Sequence, residues 1–240
     1  TGDLTFTKVE DGGTIKHADL ADADFTYRVF TYGKMIGLTR EDLVNDDLGA
    51  FNQLPQMFGR GAALALESAF WTLVLANTGN FFHANNANYI TGATTALAIA
   101  GLNEAVQALE EQTDEDGNPI AISGKYLVVP PALKATAQQL YVSTNLTGGS
   151  TATLTANTHQ GLYTPLSSPY IKAATKVWYL FADPADVAAF GIAFLNGVQE
   201  PTIEEVALSG DYLGRAWRGY YDFGVCQIDS RGAVKSKGEA

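Results

Sequence analysis

A strand pattern that runs on for longer than an ordinary sheet requires is the feature that most limits what this chain can fold into. Between Phe25 and Leu38, Phe25, Tyr27 and Val29 fall on one face of an extended backbone. Further on both faces turn apolar, as Phe30, Tyr32, Met35 and Ile36 join the pattern. Fully extended, this run spans roughly 45 Å at ~3.3 Å per residue, more than twice a typical strand. Leu4 and Phe6 share a face of an earlier strand, and the turn-rich Glu10-Asp11-Gly12-Gly13 and the acidic Asp19, Asp22 and Asp24 lie between the two. A two-stranded ribbon is marginal in water, and an apolar face along it needs cover. The run therefore lies on something outside itself; the alternative is that both strands belong to one large sheet of a single domain.

The rest of the chain mixes helix and strand, which predicts an α+β fold. Thr39-Arg40-Glu41-Asp42 reads as a helix start, with Thr39 as N-cap and carboxylates in the first turn. A longer helix follows from about Leu54 to Ala76, with Pro55 near its start and Leu54, Phe58, Ala62, Ala65, Leu66, Ala69 and Leu73 at helical spacing as its inward stripe. Gly59 and Gly61 weaken its early turns and predict close packing against another backbone. Leu97–Glu111 is amphipathic, with Leu102, Ala105, Val106 and Leu109 inward. Tyr126–Val129 is a short buried strand and Pro131 opens a helix through Tyr141. Residues 143–162, crowded with Thr, Asn and Gly, read as a long surface loop. Strands follow at Val177–Phe181 and Phe190–Leu195, and a last one places Trp217, Tyr221, Phe223 and Val225 on one face. Arg231, Lys235 and Lys237 read as a solvated tail.

Composition excludes several classes of function. With 240 residues, 46% of them hydrophobic, the chain has enough apolar surface to fold without staples. The lone Cys226 cannot form an intramolecular disulfide and reads as a small buried hydrophobe. A formal net charge of −11 opposes general affinity for a phosphate backbone. The apolar stretch Ala62–Ala76 is too short for a bilayer crossing and carries Glu67 in its middle, and Thr1–Glu10 lacks the regions of a signal peptide. The expectation is a soluble, intracellular protein without a membrane partner.

Catalytic and ligand-binding patterns are weak throughout. His17, His83 and His159 are far apart and match no metal spacing. Asp114, Asp116 and Asn118 fail the calcium-loop pattern because Gly117 is misplaced and no Glu closes it, so they read as a turn. Gly124-Lys125 lacks the upstream glycine of a P-loop, and no G-x-S-x-G elbow is present. Asp42, Asp46 and Asp47 are better explained by helix capping and exposure than by acid–base chemistry. No catalytic residue, metal or cofactor is expected, and the chain is read as a non-enzyme. The rival readings are a tail or decoration module and, less favoured, a hydrolase using acidic residues in a cleft.

Several ordered motifs carry a resemblance. The acidic-Gly turn at Glu10–Gly13, the returning strand with Tyr32-Gly33-Lys34, Leu38-Thr39-Arg40, and Asn45-Asp46-Asp47-Leu48-Gly49-Ala50-Phe51 ahead of the long helix resemble the HK97-fold capsid subunits of tailed bacteriophages. Within that group they look like the Mu-like major head subunits and the related protease-capsid fusions. Ser123-Gly124-Lys125-Tyr126-Leu127-Val128-Val129-Pro130-Pro131, Phe223-Gly224-Val225 and Arg231-Gly232-Ala233-Val234-Lys235 extend the match. The resemblance implies an HK97-like architecture: residues 1–38 as an extended β-hairpin arm (the E-loop), 39–119 as the P domain with its spine helix, 120–185 as the A domain, and 186–240 as the rest of the A domain with the return strands of the P domain. It implies a major capsid protein that forms hexamers and pentamers of an icosahedral shell around double-stranded DNA, without sequence-specific binding. Scaffold or decoration proteins are further partners it allows. The arm would overlap a neighbouring subunit and bury Phe25, Tyr27 and Val29 there. Assembly would take place in the host cytoplasm and the product would be the virion. Family members usually have an arm before the E-loop, which implies a removed or omitted segment upstream of Thr1. Some members cross-link an E-loop lysine to a neighbour's asparagine, and Lys16 and Asn196 are conceivable partners for that bond.

Overall fold

The computed structural model describes residues 27–45, 53–114, 117–147, 154–206 and 213–239. In chain order the elements are β1 (Phe30–Thr39), α1 (Arg40–Val44), α2 (Leu54–Ala76), β2 (Tyr89–Ile90), α3 (Ile99–Glu110), β3 (Gly124–Val129), α4 (Lys134–Val142), β4 (Asn145–Thr147), β5 (Leu154–Ala156), β6 (Thr164–Ser167), β7 (Trp178–Ala182), β8 (Phe190–Phe194), β9 (Thr202–Val206), β10 (Gly214–Gln227) and β11 (Ala233–Ser236). Short 3-10 turns join several of them. No helix among the described residues is long and apolar enough to cross a membrane.

The first sheet is organised by β10. One edge of this strand pairs antiparallel with all of β1, from Phe30 opposite Phe223 to Thr39 opposite Gly214. Its other edge is shared, with β9 opposite Ala216–Tyr220 and β8 opposite Phe223–Gln227. The described part of the long alternating run thus joins the chain's own sheet as an edge strand. Tyr32 stacks on Phe223 at a ring separation of 4.3 Å and an interplanar angle of 13°, a diagonal cross-strand pair of the kind that fixes register.

The second sheet has the order β2-β11-β7-β3-β6 and is packed on both faces. Leu127, Val129, Trp178, Leu180, Ala182 and Val234 point to one side, where Leu102, Ala105 and Leu109 of α3 and Ala137 and Leu140 of α4 close a core. Their neighbours Val128, Tyr179 and Ala233 point to the other side, against Trp71 and Val74 of α2, Phe81, Phe82 and Ile171. This is the period of two expected of a strand with both faces covered. Trp178 Nε1 donates to the Thr95 carbonyl at 3.0 Å and Ser236 Oγ donates to the same oxygen at 2.7 Å, so these two buried polar side chains have partners.

Three expectations are corrected. The helix runs over the predicted residues, but its inward stripe does not: Phe58, Ala62, Ala65, Leu66, Ala69 and Leu73 are only half-buried, while Trp71 and Val74, on the far side of a 3.6-residue turn, are buried with Leu54. The cause is that α2 spans two sheets, and each claims a different face. Arg231 and Lys235 are not a solvated tail, whereas the Lys237 side chain is exposed as expected and pairs with Glu239 at the surface. β11 lies between β2 and β7, Lys235 reaches over the rings of Phe82 and Tyr89 with its Nζ 5.8 and 5.4 Å from their centroids, and burial pushes its ammonium below the usual lysine range. Arg231 is hydrogen-bonded twice through Nε and once through Nη2 to the Asp229 carboxylate. The stretch read as a loop contains the β4–β5 hairpin and the buried Asn157, whose Nδ2 donates to the carbonyls of Leu140 at 2.5 Å and Ser143 at 2.8 Å.

Leu180, fully buried at the centre of β7, tests the second core. Leu180→Ala should cost about 2–5 kcal/mol of stability, read as a lower denaturation midpoint with an unchanged slope.

Candidate functional site

The surface that stands out chemically is the rim of the first sheet and the exposed half of α2. β1 is an edge strand whose outer side has no partner among the described residues, which leaves a row of backbone N–H and C=O groups exposed. Its side chains add apolar surface: Phe30 is 51% and Met35 59% exposed, and Met57 on the adjoining turn of α2 is also 59% exposed. Between strand and helix lies a cleft of ≈ 480 Å³, lined by Tyr32, Ile36, Met57, Phe58, Ala62 and Tyr220 among others. Phe58 closes its floor by lying against Gly219, where a Cβ would come within 2.6 Å of the ring. Large apolar side chains exposed together in this way mark an interaction surface rather than a catalytic one.

The predicted arm residues fall at the start of this rim. Tyr27 is 60% exposed, Val29 is half-buried, and Phe25 lies outside the described residues. The chain at Arg28 and Val29 crosses directly over Gly224 of β10, where a Cβ would sit 2.1 Å from the Arg28 carbonyl oxygen. Gly224 was read from sequence only as part of a motif, and its steric role was not legible there. Gly59 and Gly61 depart from a further expectation: outside their own helix turns, no atom of the described residues lies within 4 Å of a Cβ built on either, so the described part of the subunit does not make the predicted close backbone approach.

Along the opposite rim, Glu204 of β9 accepts from Arg218 Nε at 2.9 Å, Arg218 Nη2 at 2.7 Å and Tyr220 Oη at 3.1 Å. Arg218 first, then Tyr220, holds this carboxyl below its usual range. Lys125 and Asp183 pair across β3 and β7, each favouring the other's charged form. These are structural pairs of solvent-exposed side chains.

The other residues singled out from sequence do not converge. Asp114 folds back on its own turn, accepting from the backbone N–H and side-chain Nδ2 of Asn118 at 2.7 and 3.2 Å. His83 accepts from the Asn85 N–H at 3.1 Å in a tight turn. His159 is buried, with Nε2 2.8 Å from Asn103 Oδ1. Asn196 is exposed in a left-handed turn at the end of β8. His17, Lys16, Asp46, Asp47 and Asp116 lie outside the described residues, as does the Asp42 side chain. Among the described residues no group of three or more His, Cys, Asp or Glu is placed to hold a metal. Sequence reasoning noticed Glu67 only as a charge inside an apolar run; in the fold its Oε1 accepts from Ser168 Oγ at 2.9 Å within an aromatic cleft.

Comparison with known proteins follows the same lines. The family model for phage capsid protein matches residues 23–236. Among solved structures the chain is similar to the holo-SrpI encapsulin complex of Synechococcus elongatus PCC 7942, with a TM-score of 0.59, 10% identity, and 92% of this chain and 78% of that one covered. It is similar to a Microbacterium phage Oxtober96 structure, with a TM-score of 0.58, 10% identity and coverages of 99% and 77%. It is also similar to the capsid of Cyanophage P-SCSP1u, with a TM-score of 0.55, 12% identity and coverages of 98% and 81%. At such identities the likeness concerns the fold, which is the α+β, HK97-like architecture. No curated protein matches the chain.

Burial makes one group in this region pH-sensitive. Desolvation pushes the His159 imidazole below its ordinary value, opposed by a backbone hydrogen bond at Ile99. The unfolded chain then takes up this proton before the folded one does. Its contribution to stability is complete above about pH 6.5 and is lost as pH falls below that. Urea unfolding at pH 7.5 and pH 5 should show a loss of stability on acidification that is smaller in His159→Gln than in the parent chain.

Proposed function

Because the chain belongs to the phage capsid protein family, we propose that it is a major capsid subunit that assembles into an icosahedral shell of hexamers and pentamers around double-stranded DNA. The observation that supports this most directly is the family match across 23–236, together with an apolar edge strand that the described residues leave uncovered. A shell meets the need of such an edge by symmetry, since closed contacts keep exposed strands from pairing without limit. The work is mechanical rather than catalytic, and the subunit acts as a structural protein of the virion, put together in the host cytoplasm.

In this reading residues 1–38 are the arm, 39–119 the P domain with α2 as its spine, 120–185 the A domain, and 186–240 the A-domain remainder and the return strands. Phe25, Tyr27 and Val29 contact a neighbouring subunit, where strand-edge hydrogen bonds and apolar burial add up. The motifs at Tyr32–Lys34 and Asn45–Phe51 favour the Mu-like head subunits within the family. A net charge of −11 suits a wall that encloses DNA without gripping it, since mild repulsion leaves the packed duplex free to slide. Scaffold and decoration proteins are the further partners this role accommodates.

The glycine pair on α2 supports an intersubunit contact by a separate route. Gly in a helix interior is about 0.8–1.0 kcal/mol less favourable than Ala, and nothing among the described residues packs against Gly59 or Gly61 to offset that. A close backbone approach by a neighbour does.

Two experiments test the proposal. Deleting Asp11 to Asp24 should leave a folded subunit, seen by circular dichroism, that no longer forms shells in negative-stain microscopy; intact shells from that variant would count against the arm. Gly59→Ala with Gly61→Ala should raise subunit stability by about 1–2 kcal/mol while reducing shell yield, and an unchanged yield would remove the helix from the interface.

A further inference from the structure

Beneath the middle of α2, where the two sheets meet, lies a second cleft of ≈ 390 Å³, a size that accommodates a small molecule. Its walls are aromatic: Phe70 and Trp71 from α2, Tyr126 from β3, Phe181 from β7 and Phe190 from β8. The rings hold one another in place, with Phe70 edge-on to both Trp71 and Phe190 at 5.2 and 5.5 Å and Phe181 edge-on to Phe190 at 6.1 Å. Glu67 is the one acidic or basic side chain on this wall among the described residues. Ser168 Oγ donates to its Oε1 at 2.9 Å, and among the described residues no cation and no other hydrogen-bond donor reaches it.

Glu67 is half-buried, and its carboxylate has one hydroxyl partner and acceptor capacity left over against an apolar, aromatic wall. Three kinds of occupant can be weighed. A neutral apolar molecule fills the space but strips more water from Glu67 and gives nothing back. A bare divalent cation requires six or more oxygen ligands, which this wall does not supply. An organic cation satisfies both features at once, with its charge on the carboxylate and its CH groups on the ring faces, where the aromatic quadrupole attracts it further. We propose that this cleft binds a free alkylammonium ion, with Glu67 as the counter-ion and Phe70, Trp71, Tyr126 and Phe190 as the aromatic sheath. The site is independent of the assembly surfaces described above.

The structural role that competes with this is a latch. Ser168 opens the turn Pro169–Ile171, accepting from the Tyr170 N–H at 3.3 Å, and Glu67 could serve only to hold that turn to the helix. The test separates the two on the full chain at about 150 mM salt, where the diffuse attraction of an acidic protein for cations is screened. Titration of n-butylammonium, followed by calorimetry and by NMR shifts, should give one saturable site. The shifts should be confined to Phe70, Trp71, Tyr126 and Phe190, and the affinity should be at least tenfold above that of 1-butanol. Glu67→Gln should bring the two ligands to equal affinity, and Ser168→Ala, which frees the carboxylate without neutralising it, should retain the preference for the cation. Equal affinity of butanol and butylammonium for the parent chain, shifts elsewhere, no saturable binding, or a preference that survives Glu67→Gln would overturn the proposal. The comparison of the two ligands on the parent chain decides the matter even if Glu67→Gln does not fold.

Discussion

Hydrogen bonding along both edges of β10 is the constraint on which the first half of the structure depends. A strand of fourteen residues presents enough backbone for β1 on one side and for β8 and β9 in succession on the other. Three distant parts of the chain are thereby fixed in register. The glycines of β10 follow from this crowding. Gly219 admits the ring of Phe58 and Gly224 admits the crossing chain at Arg28, so helix and arm approach the strand where side chains are missing. The outer side of β1, which has no partner among the described residues, is the remaining cost of this arrangement.

The second sheet solves a different problem. With apolar residues alternating to both faces of β3, β7 and β11, it has no solvated side and must be covered twice. α3 and α4 cover one face. The far end of α2 with the Phe81-Phe82 pair covers the other, and the same helix lies at its near end on the first sheet. One helix of 23 residues, about 35 Å long, therefore serves two sheets with two faces, which is why its apolar residues are spread so widely around its circumference.

That spread explains much of what could and could not be read from sequence. The bounds of α2, the amphipathic α3, the buried strand Tyr126–Val129 and the alternation of Tyr221 and Phe223 were legible because each is a local pattern: a helical period with Pro55 at its start, one apolar stripe, a short continuous apolar run and a strict period of two. The inward face of α2 was misassigned because a period of 3.6 identifies a helix but cannot reveal that its partner changes halfway along. The solvated reading of Arg231 and Lys235 failed because the cations outweighed the intervening Ala233-Val234, and nothing local shows that aromatic rings wait to receive Lys235. Of the assembly surface, the apolar alternation around Tyr27 and Val29 was visible. The crossing at Gly224 and the Glu67–Ser168 contact join residues 196 and 101 positions apart, and they required the fold.

The place of β11 also bears on the order of events during synthesis. It lies between β2 and β7, and β10 holds the first sheet together, so both sheets lack an interior strand until residues 214–236 exist. A nascent chain stopped short of this region can form α2 and α3 but cannot close either core. Subunits interrupted during translation therefore present no finished surface for a growing lattice to accept. Quality control is built into the strand order, because a copy becomes competent to join its neighbours only after its interior is complete.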